Sequence, residues 1–150
     1  MIERVGRWAV PVLAVLGLAD AAYLTVLDLT GEIPPCAGYA GCGQVNTSAY
    51  AHLFGVPVAA LGTTLYVAIL AVALWRGRLV GLAWGQGTLA LYALVLAGAL
   101  FMAYLTAVEL FVLHAICYWC VALATITLIL LILTTRDLWR FSTGRAVSLP

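Results

Sequence analysis

From Leu79 to Val108 the chain passes no charged residue, and Val56 to Trp75 is equally free of charge. A helical crossing of bilayer hydrocarbon takes roughly 20 consecutive apolar residues, and runs of this length have no place on the surface of a water-soluble domain. The chain offers four such runs, over residues 8–29, 56–75, 84–108 and 116–135. Composition agrees: 65% of the residues are hydrophobic and 9% charged, where a soluble domain carries about a quarter charged residues. The expectation is an all-α integral membrane protein, one domain over residues 1–150, built as a four-transmembrane-helix bundle in lipid. A net charge of +1 gives no electrostatic footprint for a nucleic-acid partner.

All seven basic residues are Arg, in three clusters: Arg4 and Arg7; Arg76 and Arg78; Arg136, Arg140 and Arg145. With four crossings, the N-terminus, the second connection and the tail share one side, and they hold every Arg. The first connection (residues 30–55) and the third (109–116) hold none. Basic residues mark the cytoplasmic side, so both termini are expected in the cytoplasm and both Arg-free connections outside. The opening segment also has the basic start and apolar run of a signal peptide. Its apolar pattern continues past Asp20 to Leu29, longer than such a leader needs, and it is read as the first crossing.

The four cysteines all fall on the outer side. Cys36 and Cys42 form a C-x5-C in the first connection; Cys117 and Cys120 form Cys-Tyr-Trp-Cys at the mouth of the fourth helix. An oxidising compartment lets disulfides persist there. Residues i and i+3 share a helix face, so Cys117 and Cys120 can bond to one another. A helix N-terminus stabilises a thiolate through its dipole and unpaired N–H groups, which makes Cys117 a nucleophile. Cys120, one turn deeper, is expected at the hydrocarbon edge, open to a lipid-soluble oxidant. A bridge over three positions adds little chain-entropy stability, which favours a redox role over an inert one. Zinc is disfavoured because one pair sits partly in lipid, and no metal site is expected. The outer pair, among Gly38, Gly41 and Gly43 after Pro34-Pro35, is expected to swing and to exchange disulfides with the inner pair.

With these motifs in view, the chain resembles the vitamin K epoxide reductase family in its free-standing bacterial form, without a fused thioredoxin-like domain. The resemblance rests on Gly17-Leu18, Ala22-Tyr23-Leu24-Thr25, Cys36, Gly41-Cys42, Ser48-Ala49-Tyr50, Phe54-Gly55-Val56-Pro57, Gly62, Tyr104-Leu105 and Ile116-Cys117-Tyr118-Trp119-Cys120. It implies four helices around a quinone, menaquinone or ubiquinone, in a bacterial plasma membrane. It also implies a short amphipathic helix from the first outer loop, placed at residues 47–54 with Thr47 or Ser48 as N-cap. By the same resemblance Cys120 reacts with the quinone, Cys117 exchanges with Cys42, and Cys36 takes the thiolate of a soluble thioredoxin-fold thiol oxidase outside. Where animal members carry an Asn and a Tyr, this chain has Ala51 and Ala124, which favours quinone reduction over epoxide chemistry. Disulfide formation in exported proteins is the implied outcome.

Other residues invite roles. Asp20, midway along a membrane helix, is costly; it supports the competing reading of a proton-coupled small-molecule exporter, as inert disulfides would support a structural membrane protein. His114 stands three residues before Cys117, within reach of proton transfer. Tyr118, Trp119 and Phe54 are candidates to contact a quinone ring, with belt or core packing as the plainer assignment for the two former. Asp28 and Glu109 read as helix-end residues at the outer interface, and His52 as a residue of the lid helix.

Overall fold

The computed structural model describes residues 2–36 and 41–143, with 2–7 as backbone alone. Gly38 and Arg145 lie outside the described residues. Helix α1 covers Ile2–Thr30 and the six-residue α2 covers Gly41–Asn46. A 3-10 turn at Ala49–Ala51 leads into a hairpin of β1 (His52–Leu53) and β2 (Val56–Pro57), in which His52 faces Pro57 and Leu53 faces Val56. Helices α3 (Val58–Arg76), α4 (Gly81–Val108) and α5 (Tyr118–Ser142) complete the chain, with a π-helical turn at Glu109–Leu113 between the last two. The four long helices each have the length and apolarity to cross a membrane.

Helix α1 packs on α3 and α5, and α4 on α3 and α5. The core runs through Val10, Ala14, Ala21 and Leu24 of α1, Tyr66 and Ile69 of α3, Leu91 and Val95 of α4, and Leu123 and Leu130 of α5. Apolar side chains are no less soluble in lipid than in such a core, so close packing and polar ties must hold the helices together. Two glycines provide the closeness. A side chain at Gly17 would overlap the Tyr66 ring, and one at Gly98 would meet Leu65 Cδ2 at 2.7 Å. The approach at Gly17 carries Tyr66 across the bundle, where its hydroxyl lies 2.8 Å from Thr127 Oγ1.

At the arginine-bearing end, Arg76 is buried, pairs with Asp137 at 3.0 Å, donates to Thr88 Oγ1 and lies over the Trp84 ring. Helix α5 therefore does not stop at Thr135. Asp137 finds its counter-charge on α3, and the helix continues one to two turns to Ser142.

The first connection also differs from expectation. Its helix is Gly41–Asn46, and residues 47–54 form the 3-10 turn and half of the hairpin. The reason is local. Thr47 Oγ1 donates to Gly43 O and Ser48 Oγ to Val45 O, so both hydroxyls close the C-terminus of α2 and neither caps a following helix. Phe54 (φ 52°) and Gly55 (φ 83°) are both left-handed, the pair of angles a tight type I′ hairpin turn demands.

Candidate functional site

The four sulfurs meet at the end of the bundle that α2 covers. Cys36 and Cys42 are disulfide-bonded, with Cα atoms 6.1 Å apart, and Cys117 and Cys120 are free thiols. Cys42 sits on α2 and is buried, so the outer pair is held against the bundle on its Cys42 side and does not hang in a free loop. The covering helix is too short to be stable alone; side chains fix it. Gln44 Nε2 donates to Leu113 O at 3.0 Å, and Trp119 Nε1 donates to Pro35 O at 3.3 Å. Asn46 does most. Its Nδ2 donates to Cys42 O at 2.9 Å and lies 3.7 Å from Cys117 Sγ, so one amide touches both pairs. A glycine makes the contact possible, because a side chain at Gly41 would overlap the carbonyl oxygen of Ile116.

Cys117 is the N-cap of α5 (φ −100°, ψ 117°) and is 0% exposed. The Cys120 thiol, one turn on, donates to its sulfur and holds the Cys117 thiol below its ordinary value, at about 7, despite burial. A hydrogen bond to the charged form does what burial alone would undo. The segment ahead of Cys117 is equally ordered. Helix α4 widens at Glu109, and His114 takes a left-handed conformation (φ 49°) that ends it. The N–H groups of His114 and Ala115 both donate to Glu109 O. The turn folds Glu109 back under the sulfurs: it is 5% exposed, and its Oε2 accepts from the Cys117 N–H at 3.3 Å. It also shares a cavity wall with Cys120. Glu109 is thus part of the sulfur site and not a helix-end residue facing water.

Beside Cys120 opens a cavity with about 780 Å³ of empty space, its mouth included, walled by residues such as Leu24, Met102, Leu105 and Leu123. Few polar groups reach it, among them Cys120, Glu109, Asn46, Ser48 and Tyr50. Ligand pockets are commonly apolar, with a small number of placed polar groups. Cys117 does not line it, so the inner pair has one sulfur toward α2 and the other toward the cavity.

The model of the family described as vitamin K epoxide reductase matches residues 8–135. The chain belongs to that family. It is also similar to the thiol-disulfide oxidoreductase LTO1 of Arabidopsis thaliana, 34% identical over 129 residues. That match takes in 80% of this chain and 33% of the relative, so the chain spans about a third of the length of the curated protein it matches.

The remaining residues singled out by the sequence fall in different places around this family's sulfur motif. Ala51 lines the cavity with Cys120. Phe54 is 99% exposed at the hairpin tip, and His114 and Tyr118 are exposed on either side of Cys117. Trp119 packs at 4.9 Å on Tyr23, at the seam of α1 and α5. Ala124 is half-buried on α5, away from the cavity walls. His52 pairs with Asp28 at 3.2 Å, and Asp28 lines the cavity. One carboxylate oxygen of Asp20 is buried with no hydrogen-bond partner among the described residues. The sequence reading missed Asn46 and Gln44 altogether and misplaced Glu109. No pattern flags an amide in a loop, and Glu109 is separated from Cys117 by a left-handed turn that hides its orientation from any helical period.

Proposed function

We propose that the chain is a membrane thiol:quinone oxidoreductase, in which an outer cysteine pair collects electrons from a thioredoxin-fold protein and an inner pair passes them to a quinone. The observation that carries this reading is the division of labour at Cys117 and Cys120: one sulfur under the disulfide-bearing helix, the other on an apolar cavity. A structural disulfide has no need of free thiols so placed. The match to the family and the activity named for the Arabidopsis relative support thiol-disulfide chemistry.

In this reading one thiolate of the soluble partner's dithiol attacks Cys36 and frees Cys42. The partner's second thiol then attacks the partner–Cys36 disulfide, leaving the partner oxidised and Cys36 a thiol. Cys42 then attacks Cys117 of an oxidised inner pair, and the Cys42–Cys117 mixed disulfide is resolved by Cys36. The arrangement with Cys36–Cys42 bonded and the inner thiols free is the one the relay reaches once electrons have moved inward. Asn46, bonded at Cys42 and beside Cys117 Sγ, steadies the two reacting sulfurs. The cavity fits a flat apolar ring with two carbonyl oxygens: its walls take the ring, and Ser48, Tyr50 and Thr106 offer hydroxyls. Menaquinone or ubiquinone, when bound, supplies a two-electron acceptor; the chain's own part is to hold the ring, keep water away and present Cys120.

The sulfurs belong on the outer face of a bacterial plasma membrane, with both termini in the cytoplasm, and the physiological result is disulfide formation in exported proteins. Purified protein in lipid, given a reduced thioredoxin-fold protein and a short-chain quinone, should oxidise the one as it reduces the other. Cys120→Ala should abolish quinol production and leave the outer pair reducible. Turnover at the wild-type rate in Cys120→Ala, or labelling by an impermeant thiol reagent that puts the two pairs on opposite faces, ends the reading.

A further inference from the structure

Glu109 is a buried carboxylate that the relay as described does not use. It lies on the cavity wall with Cys120 and accepts from the Cys117 N–H through Oε2. A carboxylate buried among apolar side chains is expensive unless its bonds are satisfied or its charge has work to do. The turn that brings it there is itself unusual. It combines a π-helical widening with a left-handed His114, and such single-turn departures from α-helix concentrate at functional sites.

The Cys120 thiol is coupled electrostatically to both the Cys117 sulfur and the Glu109 carboxylate, and a lone S–H serves one acceptor well at a time. Directed at Cys117, it stabilises that thiolate. Directed at Glu109, it is ready to leave Cys120.

We propose that Glu109 is the proton acceptor for Cys120, taking the thiol proton from Sγ onto its carboxylate as Cys120 reacts. The inference rests on the thiol:quinone reading and assigns the proton path of that same site. Closing the Cys117–Cys120 bond breaks two S–H bonds and sends two electrons to a quinone, which becomes the quinol on gaining two protons. Cys117 gives up its proton beforehand, as a thiolate at a helix N-terminus. The Cys120 proton has no water shell to enter on the cavity side; Glu109 receives it and releases it to a quinol oxygen or to the outer aqueous phase. Other ionisable groups nearby are few. Asp28 of α1 and Tyr50 share the cavity, and His52 pairs with Asp28 at its rim. None of them has a bond to either inner sulfur among the described contacts.

The test needs no quinone, so its outcome is independent of whether the acceptor has been named correctly. In full-length protein carrying Cys117→Ala, the Cys120 thiol keeps Glu109 as its acceptor. Its alkylation by N-ethylmaleimide, followed between pH 5 and 9 with peptide mass spectrometry, should be nearly flat at neutral pH. Adding Glu109→Gln keeps an oxygen for the residue-117 N–H but removes the base. Alkylation should then slow at least about tenfold near neutral pH, a modest fraction of what positioned bases give. It should also climb roughly tenfold per pH unit as free hydroxide takes over. Glu109→Asp should restore part of the flat region. A rate unchanged by Glu109→Gln would leave the carboxylate a hydrogen-bonding strut for the turn and overturn the proposal. A faster rate would also overturn it, since it would mean that the charge only opposes a second negative group. Circular dichroism and melting of each variant, expected close to the parent protein, exclude a misfolded site as the source of a slower rate.

Discussion

Gly41→Ala is the sharpest perturbation of the relay, because it adds one methyl group and touches no sulfur. A Cβ at this position overlaps the Ile116 carbonyl oxygen and stands 3.1 Å from Ile116 N and 3.2 Å from its carbonyl carbon. All three atoms are backbone, one residue ahead of Cys117, and no rotamer change relieves them. Carbon contacts settle at about 3.5–4.0 Å, so α2 must rise from the 109–117 turn by roughly 1 Å. Overpacking of this kind costs about 1–3 kcal/mol, and the easiest relief is for the six-residue helix to tilt away. Tilting opens the contact of Asn46 with Cys117 Sγ, already 3.7 Å, and parts Cys42 from Cys117. A misplacement of about 1 Å can cost a reaction of positioned groups on the order of 100-fold. The assay is a single turnover. Protein with the inner pair oxidised receives one equivalent of reduced partner, and acid-quenched alkylation follows the arrival of thiols at Cys117 and Cys120. Gly41→Ala should slow that arrival about 100-fold, while reduction of Cys36–Cys42 by the partner keeps its rate. Gly43→Ala is the control: its Cβ meets only the Ile33 side chain, with Cγ2 nearest at 3.2 Å, and that exposed side chain can move. Equal transfer rates in Gly41→Ala and wild type, or equal damage from both substitutions, would refute the idea that contact of α2 with the turn sets the relay.

Other consequences are open to measurement. The Cys117 thiol is held at about 7 chiefly by the Cys120 hydrogen bond, so its thiolate fraction rises as pH passes upward through that value. Cys120→Ala should move the thiolate absorbance step toward the ordinary thiol range, and an unmoved step would discount that bond. Arg76→Ala leaves Asp137 without its partner and Thr88 without its donor at the bundle's far end; breaking such a pair costs about 3–5 kcal/mol where it is buried. Asp137 is partly exposed, so a thermal melt should report the lower end of that range. Tyr66→Phe removes the interhelical bonds of its hydroxyl to Thr127 Oγ1 and Leu123 O and should cost about 0.6–1.7 kcal/mol with no change in sulfur chemistry. Asn46→Leu should slow transfer between the pairs while leaving direct oxidation of the inner pair by quinone intact; slowing of both would place Asn46 elsewhere in the cycle.

The fold and the inner pair were legible because lipid imposes a long-wavelength signal. Four apolar runs, punctuated by Arg76-Gly77-Arg78 and by His114 to Cys117, leave little choice about helices. The limits of the runs were less legible. Arg136 and Asp137 look like a stop, yet Asp137 reaches Arg76 and the helix goes on to Ser142. The lid was the hardest part. Thr47 and Ser48 have the chemistry of helix starters, and hydroxyls of the same kind serve equally to close a helix behind them; only the tertiary contacts of Gln44 and Asn46 decide that the helix precedes them. The Phe54-Gly55 step, by contrast, was visible as a motif and is explained once both residues adopt positive φ.

The same reasoning shows why the outer pair and its helix sit where they do. Loop closure over the six positions from Cys36 to Cys42 removes little entropy from the unfolded chain, so this bond does little to stabilise the fold. A six-residue helix supplies almost nothing of its own. The position of Cys42 relative to Cys117 is therefore set by a handful of directed contacts: Gln44 to Leu113 O, Asn46 to Cys117 Sγ, Trp119 to Pro35 O, and the bare Cα of Gly41 on Ile116. Three of the four end on the 113–117 segment, and the fourth ends beside Cys36. Directed contacts of about 0.5–1.5 kcal/mol each can be made and broken within a catalytic cycle, where a buried apolar interface could not. In the proposed relay, a sulfur that meets its donor on one side and its acceptor on the other is better held in this way than by a core.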